Sequence, residues 1–228
     1  MYNENTIGVL NKSCSKSLYF DIKKIFYFTV KRLIDIVVSL IGLVVLSPLF
    51  IIIAILIKLD SKGPILINQK RIGKDGKLFR IYKFRSMVDN AEEILANLML
   101  YSPTIREEYT INKKLTNDPR VTKIGRFIRK TSIDELPQLL NILIGNMTLV
   151  GPRPYLPNEK DDIGIDYLTI IKMTPGLTGP WQVSGRCNTN FDDRCLLDVE
   201  YYIHKSLKID LEILLKTIKV VFKKTGAK

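Results

Sequence analysis

The sequence predicts an α+β protein. In it, a re-entrant membrane hairpin (helix, break, helix) precedes a mostly helical cytoplasmic domain with a small β-hairpin and amphipathic helices at the membrane surface. Three observations lead to this prediction. A long uncharged apolar run is interrupted at Ser47-Pro48, basic residues flank that run on both sides, and strand-like and helix-like segments follow it. We divide the 228 residues into an N-terminal segment of unknown role (1–30), the hairpin (31–59) and the cytoplasmic domain (60–228).

The apolar run extends without a charge from Ile36 to Ile57. A straight helix of this length would be about 33 Å long, which is enough to cross a hydrocarbon core. Pro48 lies in the middle of the run and should kink or break the helix, because proline removes a backbone donor and clashes with the preceding turn. Lysine and arginine flank both ends, which indicates that both ends face the cytoplasm. These residues favour a re-entrant hairpin and leave open a kinked full span or a buried helix of a soluble core.

The composition excludes several classes of protein. Hydrophobic residues make up 46% of the chain, which is too many for a disordered protein, and the 3 cysteines are too few for a disulfide-rich one. Cys14, Cys187 and Cys195 show no C-x-x-C spacing, so we expect reduced thiols and no zinc site. His204 is the single histidine, so acid–base or nucleophilic chemistry is expected to rest on carboxylates. The formal net charge of +12 indicates anionic partners.

The segments after the apolar run can be assigned in order. Residues 65–69 and 78–84 are predicted to be strands, joined by a turn at Asp75-Gly76. A helix is predicted over 91–100, followed by a polar stretch without clear periodicity to about residue 117. Residues 209–224 show helical spacing of apolar residues with lysines on the other face. That last helix either packs on the domain core or lies on an anionic membrane surface.

Two adjacent carboxylates, Asp134 and Glu135, carry the strongest chemical signal. Ser132 and Glu135 have the spacing of a capping box, so a purely structural role at a helix N-terminus is one interpretation. The alternative is functional, because Arg129 and other basic residues lie just upstream. Carboxylates beside guanidinium groups, with backbone amides exposed, can hold a divalent metal and a phosphate together. One carboxylate could then attack phosphorus while the other holds the metal.

Further arginines lie in three short clusters. Lys83 and Arg85 end the second predicted strand, Arg153 lies between two prolines, and Arg186 ends a loop that contains the only tryptophan. Each cluster alone fits ordinary turn chemistry. Together, beside a membrane segment, they favour an anionic substrate at a membrane surface.

The chain resembles the bacterial sugar transferases, the monotopic polyprenyl-phosphate hexose-1-phosphate transferases, from about residue 31 to 224. The resemblance is carried by motifs that occur in order: Lys31–Asp35, Ser47-Pro48, Gly63-Pro64, Gln69–Gly73, Lys83–Met87, Arg129–Gln138, Gly151–Pro154, Pro175–Gly179, Ser184–Arg186, Asp198-x-x-Tyr201-Tyr202 and Ser206–Asp210. It is similar to the short form of the family, which lacks the four extra membrane helices of the long form. Cys187 follows Ser184–Arg186 where many relatives have asparagine.

The resemblance implies a reaction. Such proteins transfer a hexose-1-phosphate from a UDP-sugar to undecaprenyl phosphate and release UMP, which begins the synthesis of an exopolysaccharide, capsule, O-antigen or other glycan. It implies that Asp134 is the nucleophile, that Glu135 with Asp134 holds Mg²⁺, and that Lys83, Arg129 and Arg153 face the phosphates. We add Arg85 and Arg186, from the neighbouring motifs, to the expected phosphate-binding set. The charge on a transferring phosphoryl group calls for cations and a metal, with no need for histidine.

The expected partners are a UDP-sugar, undecaprenyl phosphate and membrane lipid, with a homodimer left open. The expected location is the bacterial inner membrane with the catalytic domain on its cytoplasmic face. Galactose and glucose are the first choices of sugar, and an N-acetylated or deoxyamino sugar is the alternative, because one or two hydrogen bonds can decide between such sugars. Nucleic acid is not expected, since no reading motif accompanies the basic residues. A membrane-anchored scaffold without activity would leave the carboxylates and arginines unused.

Overall fold

The computed structural model describes residues 4–112, 115–184 and 190–223, with side chains in 22–111, 115–184 and 190–220. The chain is mixed helix and sheet and mostly helical, as predicted. The helices and strands, in order, are α1 (Glu4–Val45), α2 (Ser47–Asp60), β1 (Leu66–Ile72), β2 (Leu78–Phe84), α3 (Ala91–Tyr101), α4 (Pro103–Asn112), α5 (Lys123–Lys130), α6 (Gln138–Ile144), β3 (Thr148–Val150), α7 (Lys160–Ile163), α8 (Tyr167–Ile170), β4 (Gly176–Thr178), α9 (Pro180–Val183), α10 (Phe191–His204) and α11 (Leu207–Lys223). Short 3-10 turns include Ile133–Glu135 between α5 and α6.

Helices α1 and α2 form the bent pair that the sequence predicts. The bend between Ile22–Val45 and Ser47–Asp60 is 59°. Pro48 has no amide hydrogen for the Val44 carbonyl, and the Ser47 hydroxyl donates to that oxygen instead at 2.8 Å. Among the described residues, no single helix has the length and apolar composition to cross a membrane, whereas this bent pair together has both. Ser47 and Pro48 therefore account for the break between α1 and α2.

The two arms of the pair dock on different parts of the domain. Gly42 of α1 packs against Leu139 of α6, where an added Cβ would lie 3.0 Å from the leucine side chain. Ile53 and Ile57 of α2 are 2% exposed and belong to a buried cluster with Phe84 and Ile128. The outer faces of both arms are apolar and exposed: Leu33, Ile34, Val37, Val38, Leu40, Ile41, Val44, Val45, Ile51, Ile52, Ile55 and Leu59. A continuous apolar surface of this extent needs a non-aqueous environment or a partner.

The predicted β-hairpin is present. Strands β1 and β2 pair antiparallel, with Leu66 opposite Phe84 and Ile72 opposite Leu78. The turn contains Asp75 at φ 57° and Gly76 at φ 74°, which is the left-handed geometry that an Asp-Gly pair favours. Strand β1 continues to Ile72, beyond the predicted end at residue 69. This hairpin places Lys83 near the end of β2.

The elements that were not predicted include a second strand pair and helix α4. Strands β3 and β4 pair in parallel, with Thr148 opposite Gly176 and Val150 opposite Thr178. The polar stretch after residue 101 contains helix α4, whose Ile105 and Tyr109 form a short half-buried stripe. Both elements are too short or too polar for periodicity to reveal them.

Helix α11 divides its apolar residues between two faces. Ile213 is 5% exposed in the main core cluster and Leu214 packs against that cluster. Leu211, Leu215 and Ile218 are 52–57% exposed on the outer face. The predicted stripe is therefore not one core-facing surface, and the outer part remains apolar and solvent-facing in the isolated chain.

We predict that replacing Ser47-Pro48 with Ala-Leu straightens the hairpin. The amide of residue 48 would then bond the Val44 carbonyl, and the hairpin is synthesised before the domain on which it docks. A cysteine at position 12 should become reactive to an impermeant maleimide from outside the cell, while a cysteine at position 62 stays protected, both in a background without native cysteines.

The matched control is Ser47→Ala alone, which keeps the proline and should leave position 12 protected. Labelling of position 12 in the otherwise unchanged protein would contradict the re-entrant topology. If Ala-Leu leaves position 12 protected, the bend depends on docking and not on Ser47-Pro48.

Candidate active site

The site forms where the end of β2 meets the turn between α5 and α6. Lys83 Nζ lies 2.7 Å from Glu135 Oε1, with the lysine side chain 21% exposed and the glutamate side chain 42% exposed. Asp134 is 9% exposed beside them. The structure thus brings together three residues that the sequence assigned to one site from separate motifs.

The turn that carries the carboxylates is not a capping box. Ser132 has φ 57°, in the left-handed region, and its side chain makes no capping hydrogen bond. Ile133–Glu135 is a 3-10 turn, and α6 begins only after Pro137. The capping-box interpretation was wrong because Ser132 has neither the extended backbone nor the side-chain hydrogen bond of a capping residue. The Glu135 carboxylate pairs with Lys83. The functional interpretation of the carboxylates remains.

Asn141 fixes α6 against the strand that carries Lys83. This completely buried side chain accepts from the Tyr82 amide at 2.9 Å and donates to the Arg80 carbonyl at 2.8 Å. It therefore satisfies two backbone groups on the free edge of β2. Asn141 therefore helps to fix the distance between Lys83 on β2 and the carboxylates that precede α6.

Burial is the largest influence on the pKa of Asp134. Loss of solvent raises the pKa of Asp134 to about 6, and the neighbouring charge of Glu135 also raises it. The charges of Lys83 and Arg129 act in the opposite direction and lower this pKa. A carboxylate that is poorly solvated and still ionised near neutral pH is a reactive nucleophile.

Two predicted phosphate-binding arginines lie in different surroundings. Arg129 donates from Nε to the Ser86 hydroxyl at 2.8 Å, and burial lowers its pKa while the charge of Asp134 raises it. Arg85 is 3% exposed and donates from Nη2 to the Ser61 carbonyl at 2.6 Å, at the end of α2. Arg129 is therefore electrostatically coupled to the catalytic carboxylates, whereas Arg85 is engaged by the end of the hairpin.

The loop that carries Arg153 begins where the segments after β3 and β4 are in close backbone contact. The Gly151 amide donates to the Thr178 carbonyl at 2.9 Å, and a Cβ added at Gly179 would lie 2.1 Å from the Gly151 oxygen. Because β3 and β4 are parallel, the segments that follow them leave from the same edge. The backbone of the Arg153 loop is thus in direct contact with the segment that leads into α9, the helix that carries Trp181.

Buried polar side chains bond the backbone of the Arg153 loop. Asp198 is fully buried, and its Oδ2 accepts from the Tyr155 hydroxyl at 2.9 Å and from the Arg153 amide at 3.2 Å. Burial raises the pKa of Asp198 to about 7, against the lowering effect of these two hydrogen bonds. Arg71 donates from Nη1 to the Pro154 carbonyl at 3.0 Å. These contacts fix the backbone on both sides of Arg153.

Arg71 also connects this loop with the catalytic carboxylates. Burial lowers its pKa to about 10, the positive charge of Arg153 lowers it further, and the negative charges of Glu159 and Glu135 raise it. Arg71 therefore lies within electrostatic reach of both Arg153 and Glu135. Sequence reasoning missed the roles of Arg71, Asn141 and Asp198, although Arg71 and Asp198 lie in the motifs that carry the resemblance.

The remaining predicted residues can be placed briefly. Arg186 and Cys187 lie outside the described residues. Cys195 is buried with its thiol near the Tyr155 hydroxyl, and His204 is exposed at the end of α10. Within the described part of the chain, no group of three or more His, Cys, Asp or Glu side chains could hold a metal. The donor set of Asp134 and Glu135 suits Mg²⁺, which is commonly held by one or two carboxylates together with substrate phosphates.

Comparison with known proteins places this site in a family. The family described as bacterial sugar transferase matches residues 26–224. Undecaprenyl-phosphate galactose phosphotransferase of Salmonella typhimurium (strain LT2) is 47% identical over 195 residues, which cover 85% of this chain and 40% of that protein. Exopolysaccharide production protein ExoY of Sinorhizobium fredii is 40% identical over 193 residues, which cover 85% of each chain.

UDP-glucose:undecaprenyl-phosphate glucose-1-phosphate transferase of Escherichia coli (strain K12) is 38% identical over 192 residues, which cover 81% of this chain and 38% of that protein. The chain thus spans about 40% of the length of several of these relatives and most of the length of ExoY. The family match, the relatives and the geometry around Asp134 agree, and the chain belongs to the bacterial sugar transferase family.

Proposed function

We propose that this protein transfers a hexose-1-phosphate from a UDP-sugar to undecaprenyl phosphate and releases UMP. The observation that carries the proposal is the buried carboxylate of Asp134, with the Lys83–Glu135 ion pair and Arg129 around it. The relatives whose names state this chemistry support the assignment of both substrates. Galactose is the first choice of sugar because relatives from three organisms are named for galactose, and glucose is the second.

The reaction has two displacement steps at the same phosphorus. An Asp134 oxygen attacks the β-phosphorus of the UDP-sugar, and the bond to the bridging oxygen breaks, so that UMP leaves with the electron pair. The phosphate oxygen of undecaprenyl phosphate then attacks the phosphorus of the aspartyl phospho-sugar. The Asp134 carboxylate is released unchanged, and the product is the lipid diphosphate sugar.

Cations around the carboxylates would bind the phosphates. Lys83, Arg129 and Arg153 form the proposed set, since each is at least partly accessible and lies in or within electrostatic reach of the site. Arg85 is left out of this set because the end of α2 engages its guanidinium. Mg²⁺ held by Glu135 and Asp134 would neutralise charge on the phosphoryl oxygens.

The apolar outer faces support a location of the site at the membrane. We infer that the outer faces of α1 and α2 lie in lipid and that Leu211, Leu215 and Ile218 of α11 lie on its surface. Asp210 near the start of α11 bonds Lys31 at 2.6 Å, so this helix starts at the base of the hairpin. The basic residues on both flanks of the hairpin favour the cytoplasmic face of the bacterial inner membrane.

We predict that Asp134→Asn abolishes turnover and leaves the fold intact. The change is nearly isosteric and removes a charge that burial disfavours. UMP release from a panel of UDP-galactose, UDP-glucose and N-acetylated UDP-sugars should fall more than about a hundredfold, since a lost nucleophile costs several kcal/mol of barrier. Radiolabelled sugar-phosphate should accumulate on the wild-type protein without acceptor lipid and not on the variant.

The matched control is Asp161→Asn, an exposed acidic residue on α7, which should turn over normally. Glu135→Gln should retain the fold and raise the Mg²⁺ concentration needed for half-maximal rate. A rate for Asp134→Asn above about a hundredth of wild type would contradict the covalent role.

We also predict opposite changes in the ionisation of Asp134. The charge of Lys83 lowers the pKa of Asp134 and the charge of Glu135 raises it, so Lys83→Met should move that pKa above about 6 and Glu135→Gln should move it below. The measurement is a pH titration of the Asp134 ¹³C carboxyl resonance without divalent metal, with the resonance assigned by its loss in Asp134→Asn. Lys77→Met, an exposed lysine beside the β-turn, is the control and should leave the titration unchanged. Shifts of the same sign in both variants would mean that these charges do not surround the Asp134 carboxylate.

A further inference from the structure

The single tryptophan of the chain carries two arginines on its ring. The Cζ atom of Arg153 lies 5.3 Å from the centroid of the Trp181 indole, and the Cζ atom of Arg194 lies 5.0 Å from it. The three residues come from the loop after β3, from α9 after β4 and from the first turns of α10. Three segments far apart in sequence therefore converge on one aromatic ring.

The Trp181 ring contacts two positive charges. A guanidinium over an indole face is stabilised by the ring quadrupole, and this attraction is strongest for tryptophan. Both arginines are only half-buried, so part of each side chain is accessible from the surface. The nearby Asp198 carboxylate oxygen accepts from the Tyr155 hydroxyl and the Arg153 amide, so the backbone of Arg153 is fixed while its guanidinium lies over the ring. Paired guanidinium groups on a rigid support are suited to bind a phosphate.

The edge of the same ring offers a further donor. The indole Nε1 atom of Trp181 is buried and has no hydrogen-bond partner among the described residues. A buried donor without an acceptor costs free energy, so an oxygen supplied by a ligand would be favourable there. The ring thus presents two cations at its faces and one unsatisfied donor at its edge.

This cluster continues the proposed active site. Arg71 donates from Nη1 to the Pro154 carbonyl at 3.0 Å, next to Arg153, and also lies within electrostatic reach of Glu135. Arg71 therefore links the Arg153 loop, and with it Trp181, to the carboxylates of the proposed site. In a UDP-sugar the phosphorus that Asp134 would attack is joined through one oxygen to the phosphate of the UMP leaving group. This second phosphate therefore lies next to the one that Asp134 would attack, and the cations linked to the site through Arg71 are suited to bind it.

We propose that Arg194 and Trp181 complete the donor site, with Arg194 and Arg153 binding the phosphate of the nucleotide that leaves as UMP and Trp181 orienting both guanidinium groups. The inference rests on the proposed function, because it assigns the leaving-group phosphate of that reaction. Negative charge develops on this phosphate as the bond to the bridging oxygen breaks, so cations held here act on the leaving group.

The single tryptophan makes the test direct, since all intrinsic tryptophan fluorescence comes from this cluster. The full chain in detergent or nanodiscs is titrated with UMP, uridine and inorganic phosphate, and binding is measured in parallel by calorimetry. UMP should change the Trp181 emission in a saturable manner, and uridine, which lacks the phosphate, should bind far more weakly. Arg194→Gln should weaken UMP binding about tenfold or more.

Matched variants distinguish a specific role of Arg194 and Trp181 from the loss of any positive charge and from a loss of folding. Arg80→Gln removes an exposed arginine on β2 and should leave UMP affinity unchanged. Trp181→Phe keeps an aromatic face and loses only the indole donor, so calorimetry should show a smaller loss of UMP affinity than with Trp181→Leu. The far-ultraviolet circular dichroism and thermal melting of ligand-free Arg194→Gln should equal those of the wild type, which shows that the protein is still folded.

The outcomes distinguish this inference from the proposed function. If the wild type binds UMP while its emission stays constant and Arg194→Gln binds equally well, the inference is overturned, whatever the turnover. If UMP binding depends on Arg194 but no UDP-sugar releases UMP, the transfer reaction is wrong and the nucleotide phosphate site stands.

Discussion

One turn of α1, from Lys31 to Asp35, holds the architecture together. Lys31 pairs with Asp210 of α11 at 2.6 Å, and Arg32 donates to the Ile142 and Leu143 carbonyls at the end of α6 at 2.6 and 2.8 Å. Asp35 is buried and accepts from the Leu149 amide in the middle of β3 at 2.8 Å. A single helical turn at the start of the apolar hairpin thus binds three elements of the domain. Since α6 follows the catalytic carboxylates and β3 leads to Arg153, the placement of both depends on this turn.

The second arm of the hairpin constrains the site from the other side. Ile53 and Ile57 of α2 pack with Ile128 of α5, and the Asp60 carboxylate accepts from the Ile124 amide at 2.9 Å. The turn that carries Asp134 therefore lies between α5, held by α2, and α6, held by α1. Because the bend at Ser47-Pro48 fixes the angle between the arms, it also fixes the separation of these two supports. The hairpin is in this sense part of the framework that positions Asp134 and Glu135.

Local chemistry in the sequence was sufficient for several features and insufficient for others. The Ser47-Pro48 break, the Asp75-Gly76 turn and the Asp134-Glu135 pair each depend on adjacent residues, and all three are where the sequence placed them. The β3–β4 pairing depends on the backbone contact between Gly151 and Gly179, which are far apart in sequence, so periodicity could not reveal it. Ser132 has the sequence spacing of a capping residue. Its left-handed backbone and its lack of a capping hydrogen bond can be seen only in the structure.

Burial distinguishes arginines that composition treats alike. Arg85 and Arg71 are 3% and 7% exposed and donate to the Ser61 and Pro154 carbonyls, so their charge stabilises the end of α2 and the loop around Arg153. Arg129 and Arg153 are half-exposed and remain available at the site. Each of these two buried guanidinium groups bonds a backbone carbonyl through some of its nitrogen atoms, while Arg71 Nε and Arg85 Nε and Nη1 have no hydrogen-bond partner among the described residues. A partly accessible guanidinium can offer donors to a ligand from the surface. The excess of positive charge in the sequence therefore has two separate places: one part lies buried in the framework around the carboxylates, and the other part lies partly accessible beside them, where we propose that phosphates bind.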